Sequence, residues 1–350
     1  MLHFPSAIFY GAMSTIMVFS NKYLFSEWNF DCPIFLILVQ MFSNLALIFT
    51  YNSIDKLSHN LKIDTSLHKI INYDSDNPVV TKLFNLRIFI GLFYSLHSVL
   101  SLKALSGLNI PIYIMFKRCT PLVNLILSIF VFKNTETKKR HSKNIIFSIL
   151  MMTFGVIIAS IGDIEFDLYS YIYCGFSVIC QAFYLSTIQK YGEINKTNSL
   201  QTYYECTIIS IPILFVFFIF TNERTQFIND MKPLNDTNFI LVFFLVIISG
   251  SLLCFSQFWC TLKNNAITTS VLGVLKSLIQ TVIGILLIKN ADKMSNLTYL
   301  GIFINLVFGS LYTYLKYIET ESKKDINKSE STSQLIGNGK NNTQENGSCC

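Results

Sequence analysis

The run from Ala266 to Ile288 reads AITTSVLGVLKSLIQTVIGILLI, 23 residues with a single charge, Lys276, near its middle. At ~1.5 Å per residue, a helix of that length crosses the ~30 Å hydrocarbon core of a bilayer. A bare ammonium at that depth costs at least ~2.5–3.5 kcal/mol, so the fold must give it company. On a helix, Thr269, Gly273, Lys276, Ser277, Gln280 and Gly284 share one stripe, and Val271, Leu275, Leu278, Val282 and Ile285 share another. The first stripe is small, polar and cationic, which suits the wall of a wet cavity that takes an anion. The competing reading is a lysine that snorkels to the surface or pairs inside the bundle.

Only 14% of the 350 residues are charged and 51% are hydrophobic, with a mean hydropathy of +0.47. A soluble domain carries about 25% charge, so most of the chain is expected in membrane. The net charge of +6 is spread over loops and tail rather than along one basic face, so no nucleic-acid partner is expected. The 31 Phe and 17 Tyr suit lipid contact and interfacial belts. The nine Cys are scattered singly apart from Cys349-Cys350. Without CxxC or a pairing with His, neither a disulfide framework nor a metal is expected. The first apolar run lacks a cleavage site and reads as a span, not a signal peptide.

Ten apolar tracts follow one another: Pro5–Leu24, Pro33–Tyr51, Phe84–Leu102, Ile110–Phe132, Ile145–Ile161, Leu168–Ile188, Tyr203–Phe220, Phe239–Trp259, Ala266–Ile288 and Leu297–Tyr317. Most connections are short. Residues 52–83 form a polar loop with a DSDNP turn at Asp74–Pro78, and the Ser/Asn/Lys/Glu-rich tail 319–350 is expected to be disordered. Lysines and arginines gather on the even-numbered connections, above all in KNTETKKRHSK at 133–143, whereas the connection Asp163–Asp167 is acidic. That bias puts both termini in the cytosol. Asn235-Asp236-Thr237 would then be lumenal, a candidate glycosylation acceptor.

The chain also looks doubled. IPIYIMFKRCTPLVNLILSIFVFKN in the fourth tract and TTSVLGVLKSLIQTVIGILLIKN in the ninth each place a cation mid-span and end at Lys-Asn. Five spans per half gives the halves opposite topology. The expected fold is therefore an all-α membrane protein of ten transmembrane helices in two inverted five-helix repeats, 1–162 and 163–318, with both termini cytosolic.

Lys117 and Arg118 lie inside the fourth tract, where Pro111 and Pro121 interrupt regular backbone bonding. With Lys276 they make three cations in matched tracts, balanced within the spans by Glu205 alone. That charge implies an anion with more than one negative group, and a pyrophosphate fits guanidinium and ammonium donors well. The competing reading pairs Glu205 with one of these cations and lets Arg118 snorkel. Tyr203, Tyr204 and Glu205 open the seventh tract, where rings stack on a base and a carboxylate accepts from an N–H edge, or where they serve as an interfacial pair with a helix-start acid. Asn21 and Lys22 at the end of the first tract, and Asn264-Asn265 before the ninth, fit gating or capping roles less well than a place among the headgroups. No HExxH, GxSxG, P-loop or paired carboxylates occur, so no catalysis and no cofactor are expected.

These residues resemble the nucleotide-sugar transporters of the drug/metabolite transporter superfamily, in particular the UDP-sugar branch that carries UDP-glucuronic acid, UDP-N-acetylglucosamine and UDP-N-acetylgalactosamine. The resemblance is carried by GLNIPIYIMFKRCT at Gly107–Thr120, GDIEFD at Gly162–Asp167 and CTLKNNAITTSVLGVLKSLIQTVIG at Cys260–Gly284, with Asn21-Lys22, Tyr203-Tyr204 and Gly301–Tyr314. It implies ten helices in two inverted halves and antiport of a nucleotide sugar against a nucleoside monophosphate across the Golgi or endoplasmic reticulum membrane. It also implies that Tyr203 and Tyr204 meet the base and that Gly273 and Lys276 meet phosphate and sugar. Glu205 and Ser277 stand where the family has Asn. The expected substrate-binding set is Lys276, Lys117, Arg118, Tyr203, Tyr204, Glu205, Gly273, Ser277, Thr269 and Asn109. The partners are a nucleotide sugar, a nucleoside monophosphate and the lipid bilayer, with a homodimer left open. A triose- or hexose-phosphate translocator of the same fold is the nearest alternative. A non-transporting receptor or assembly subunit is the more distant one. Cys349-Cys350 lacks the C-a-a-X pattern but is a candidate for lipidation.

Overall fold

In the computed structural model, the described residues are 4–30, 32–55, 78–130, 142–164, 166–195, 199–221, 223, 225, 236–263, 266–287 and 295–319. Every regular element among them is an α-helix: α1 Phe4–Trp28, α2 Pro33–Asp55, α3 Pro78–Gly107, α4 Ile110–Lys117, α5 Thr120–Phe130, α6 Lys143–Ile161, α7 Leu168–Asn195, α8 Ser199–Phe220, α9 Thr237–Lys263 and α10 Ala266–Leu287, then α11 Asn296–Glu319. Eight of the described segments are long and apolar enough to cross a membrane, with α4 and α5 together counting as one. Two more reach spanning length, α1 with 25 residues and α10 with 22.

Local chemistry sets the helix limits. Asn29 closes α1 at a φ of 48, a left-handed conformation that Asn tolerates well. The N-terminus of α2 is capped from far along the chain, by the Glu223 carboxylate on the amides of Ile34 and Phe35 at 2.9 and 3.3 Å. Asp167 caps α7 through Tyr169 N, Asp236 caps α9 through Asn238 N, and Ser295 caps α11 through Thr298 N. These side chains take up donors that no intrahelical carbonyl can reach.

Two sequence expectations shift. Helix α2 runs on to Asp55 and α3 starts at Pro78, so both ends of the polar 52–83 stretch are helical, and 56–77 lie outside the described residues. The fourth tract is two helices rather than one. Pro121 has no N–H for the Lys117 carbonyl, and the Thr120 hydroxyl takes that carbonyl at 2.8 Å. Arg118 N reaches Ile114 O and Met115 O, and Cys119 N turns to Phe116 O at 2.9 Å, so the break falls beside Lys117. The 133–141 part of the basic connection, Asn235, Asn264-Asn265, the tail beyond Glu319 and Cys349-Cys350 lie outside the described residues.

Helix α3 lies along α7, and α1 lies along α9. Helix α2 packs on α8 and α9, α3 also on α8, α10 on α4 and α1, and α5 on α7. Helices α6 and α11 meet backbone to backbone: a Cβ on Gly155 would sit 2.8 Å from Asn305 N, and one on Gly301 would sit 2.4 Å from Ala159 N. Such close approach through small residues is how helices associate in lipid, where burying apolar surface gives little drive. Facing outward, Phe147, Leu150, Phe154, Ile157 and Ile161 leave α6 a continuous exposed apolar face.

Candidate functional site

The break between α4 and α5 aims two cations in different directions. Lys117 donates to Ser177 Oγ on α7 at 2.7 Å, with its ammonium 5.5 Å from the Tyr113 ring. The Ser177 hydroxyl lies 3.2 Å from His97 Nδ1 on α3, and that nitrogen is 2.9 Å from the Ser177 carbonyl. One residue on, Arg118 crosses to α10 and donates to Ser277 Oγ at 2.7 Å. Its Nε and Nη1 are buried with no hydrogen-bond partner among the described residues.

Lys276 sits on unbroken α10. It donates to the Tyr10 hydroxyl of α1 at 2.8 Å and lies 4.2 Å from that ring's centre. One turn on, Gln280 Nε2 donates to Ser14 Oγ at 3.0 Å. The Lys117 side has the same layout, because Thr120 Oγ1 meets Gln181 Oε1 at 3.1 Å, four residues after Ser177. Among the described residues no carboxylate pairs with Lys117, Arg118 or Lys276. An ammonium has three donors and a hydroxyl accepts one of them, so both lysines keep charge and donors to offer.

Aromatic rings gather beside the Lys117 site. His97 lies tilted against Tyr184 with ring centres 5.4 Å apart, and Tyr184 meets Tyr94 edge-on at 5.5 Å. Tyr94, His97, Gln181 and Tyr184 keep part of their surface accessible while lodged between helices. They form a patch of faces and polar edges beside Lys117, which suits a base and sugar. Sequence reading missed them, although Ser177, Gln181 and Tyr184 form a polar stripe at helical spacing on an apolar tract.

The remaining sequence candidates fall in several places. Gly273 borders open space: a Cβ there meets nothing within 4 Å. The Thr269 side chain lies outside what the structure describes. Asn109 starts α4 in extended conformation, and its side chain makes no capping bond. Tyr203 is half-buried and packs toward Ile48, Leu200 and Tyr204. Tyr204 is fully buried, edge-on to Phe49 of α2 at 6.3 Å, so it packs between helices. Glu205 is 5% exposed and is held on all sides: Arg87 Nε at 3.2 Å, the Tyr191 hydroxyl and Gln201 Nε2 at 3.1 Å. Its cation is therefore Arg87, not one of the three inner ones. Ser277 holds Arg118. Lys22 caps the end of α3, donating to the carbonyls of Leu105, Ser106 and Leu108 at 3.1, 2.9 and 2.8 Å.

No protein-family model matches the chain. Over 322 residues it is 30% identical to UDP-galactose/UDP-glucose transporter 7 of Arabidopsis thaliana, covering 91% of each protein. It is 29% identical to nucleotide sugar transporter SLC35D2 of Homo sapiens over 89% of this chain and 85% of the other. It is 27% identical to UDP-sugar transporter sqv-7 of Caenorhabditis elegans over 89% and 88%. Likeness sustained from end to end, in a helical bundle with eight described segments long and apolar enough to cross a membrane, places this chain in the nucleotide-sugar transporter family, as a multi-pass membrane transporter and not an enzyme.

Proposed function

We propose that this protein exchanges a cytosolic UDP-sugar for lumenal UMP across a Golgi or endoplasmic reticulum membrane. Two inverted five-helix halves, 1–162 and 163–318, rock around the site, with both termini in the cytosol. The contact pattern supports this. Exchange α1 with α7, α2 with α8, α3 with α9, the α4–α5 pair with α10, and α6 with α11. The packing of α3 on α7 then becomes that of α9 on α1, α3 on α8 becomes α9 on α2, and α5 on α7 becomes α10 on α1. The side chains follow the same exchange: Lys117 with Ser177 corresponds to Lys276 with Tyr10, and Thr120 with Gln181 to Gln280 with Ser14.

The observation that carries the reading is this pair of lysines, one from each half, resting on neutral hydroxyls with no carboxylate beside them among the described residues. A charge so placed is costly until an anion arrives. A diphosphate has an anionic group for each lysine, Arg118 adds donors from the residue next to Lys117, and Gly273 leaves room for the sugar beside Lys276. Relatives named for UDP-sugars support the choice of nucleotide. Arg87, Glu205 and Tyr191 tie α3 of one half to α7 and α8 of the other at the end that the basic connections assign to the cytosol.

The test is uptake of UDP-sugar into proteoliposomes preloaded with UMP. Exchange is expected to need internal UMP and to be competed by external UMP but not by inorganic phosphate. Uptake indifferent to UMP, or competed by phosphate, would remove the antiport reading.

A further inference from the structure

The GDIEFD stretch has no part in the site above, yet it closes one end of a cavity. Helices α6 and α7 stand apart, each packed on α4 and α5. The gap between them encloses about 720 Å³, with Phe116, Val123, Val156 and Val178 as floor and walls. Ile157 and Ile179, which also line it, are 53% and 40% exposed, so its mouth opens sideways through an apolar outer face. The substrate site lies on the other side of α4 and α5.

Apart from Thr153, whose hydroxyl is taken by the Ile149 carbonyl, the polar side chains Ser160, Asp163 and Tyr171 gather at one end. There Tyr171 donates to Asp163 Oδ2 at 2.7 Å, and Phe166 stacks on Tyr171 at 4.6 Å. Among the described residues Asp163 has no cationic partner. From Thr153 to Ile161, both lining residues, α6 rises about 12 Å, most of half the ~30 Å hydrocarbon core, and Asp163 follows two residues on. The slot is thus one leaflet deep, apolar along its length and anionic where the headgroups begin. An apolar hollow of this kind repels water, and the solvent at its mouth is acyl chain.

We propose that the groove between α6 and α7 is a phospholipid site, which takes one acyl chain and holds the amine of a primary-amine headgroup at the Asp163 carboxylate. A quaternary choline has no N–H to donate there, and an anionic headgroup is repelled.

The experiment counts lipids on the delipidated, full-length protein by native mass spectrometry after adding phosphatidylethanolamine, phosphatidylcholine or phosphatidylglycerol. One phosphatidylethanolamine is expected to stay bound, with phosphatidylcholine about tenfold weaker, the scale of one charge-assisted hydrogen bond. Asp163→Asn should erase that preference while keeping the chain contacts. A Cβ on Gly175, a lining residue, meets nothing within 4 Å, so Gly175→Phe, or the smaller Gly175→Leu, fills the groove from open space. Both should expel the lipid and leave exchange intact. Equal retention of all three lipids by the wild type, or full retention of phosphatidylethanolamine in the Gly175 variants, would overturn the proposal without touching the transport reading.

Discussion

Lys117 and Lys276 occupy matching places but are held differently. Lys117 sits at a helix break and leans on Ser177, which is itself engaged by His97, so three helices fix it. Lys276 sits on a continuous helix and rests on one tyrosine, by hydroxyl and by ring face. The space one turn before each lysine also differs. Tyr113 fills it on the Lys117 side, its hydroxyl 2.6 Å from Ser101 Oγ, whereas Gly273 leaves it open on the Lys276 side. The lesson is a division of labour under one charge pattern: a rigid, crowded anchor on α4 and a looser anchor with room beside it on α10. Arg87 shows the contrast, a half-buried cation that does have its carboxylate.

The largest effect is expected from removing either ammonium. Lys117→Ala and Lys276→Ala should each lower exchange by about 100-fold or more, the scale of losing strong charged hydrogen bonds. If only one does so in the proteoliposome assay, the two anchors are not equivalent. Next comes the compensated cation. Glu205→Gln removes the ion pair with the half-buried Arg87 and should cost about 1–3 kcal/mol of stability, read as a lowered melting temperature. Arg87→Met combined with Glu205→Leu should recover much of it, whereas neither lysine variant should destabilise the fold at all.

Gly273→Leu sharpens the difference in space. The added side chain enters open volume, so the protein should melt normally. Exchange of nucleotide sugar should fall about tenfold, with UMP binding less affected, by analogy with filling a cavity that a ligand needs. The smallest effects are on the supporting hydroxyls. Tyr10→Phe keeps the ring and loses one acceptor, for about a fivefold rise in KM at ~1 kcal/mol. Ser177→Ala should cost somewhat more, because His97 loses a neighbour as well.

The two lysines were legible in the sequence because a charge inside an apolar run has few explanations. Interrupted backbone bonding in the fourth tract was legible from Pro111 and Pro121, but its division into two helices beside Lys117 was not. The partners were not. Tyr10, Ser14, Ser177 and Gln181 are unremarkable in membrane helices until folding brings them opposite Lys276, Gln280, Lys117 and Thr120. The Glu205 pairing was hidden for a similar reason: Arg87 lies over 100 residues away and sits at the edge of its tract, where a basic residue reads as an interfacial anchor. Tyr204 shows the limit of resemblance, because a place in a motif says nothing of which helix face its ring takes.

The central claim, that one lysine from each half grips the same diphosphate, is tested most directly by ligand-induced thermal stabilisation. Wild-type protein should be stabilised most by UDP, less by UMP and little by uridine, and Lys117→Ala and Lys276→Ala should each reduce the UDP shift to the UMP level or below. A uridine shift equal to that of UDP, or a full UDP shift in the double variant, would contradict the claim.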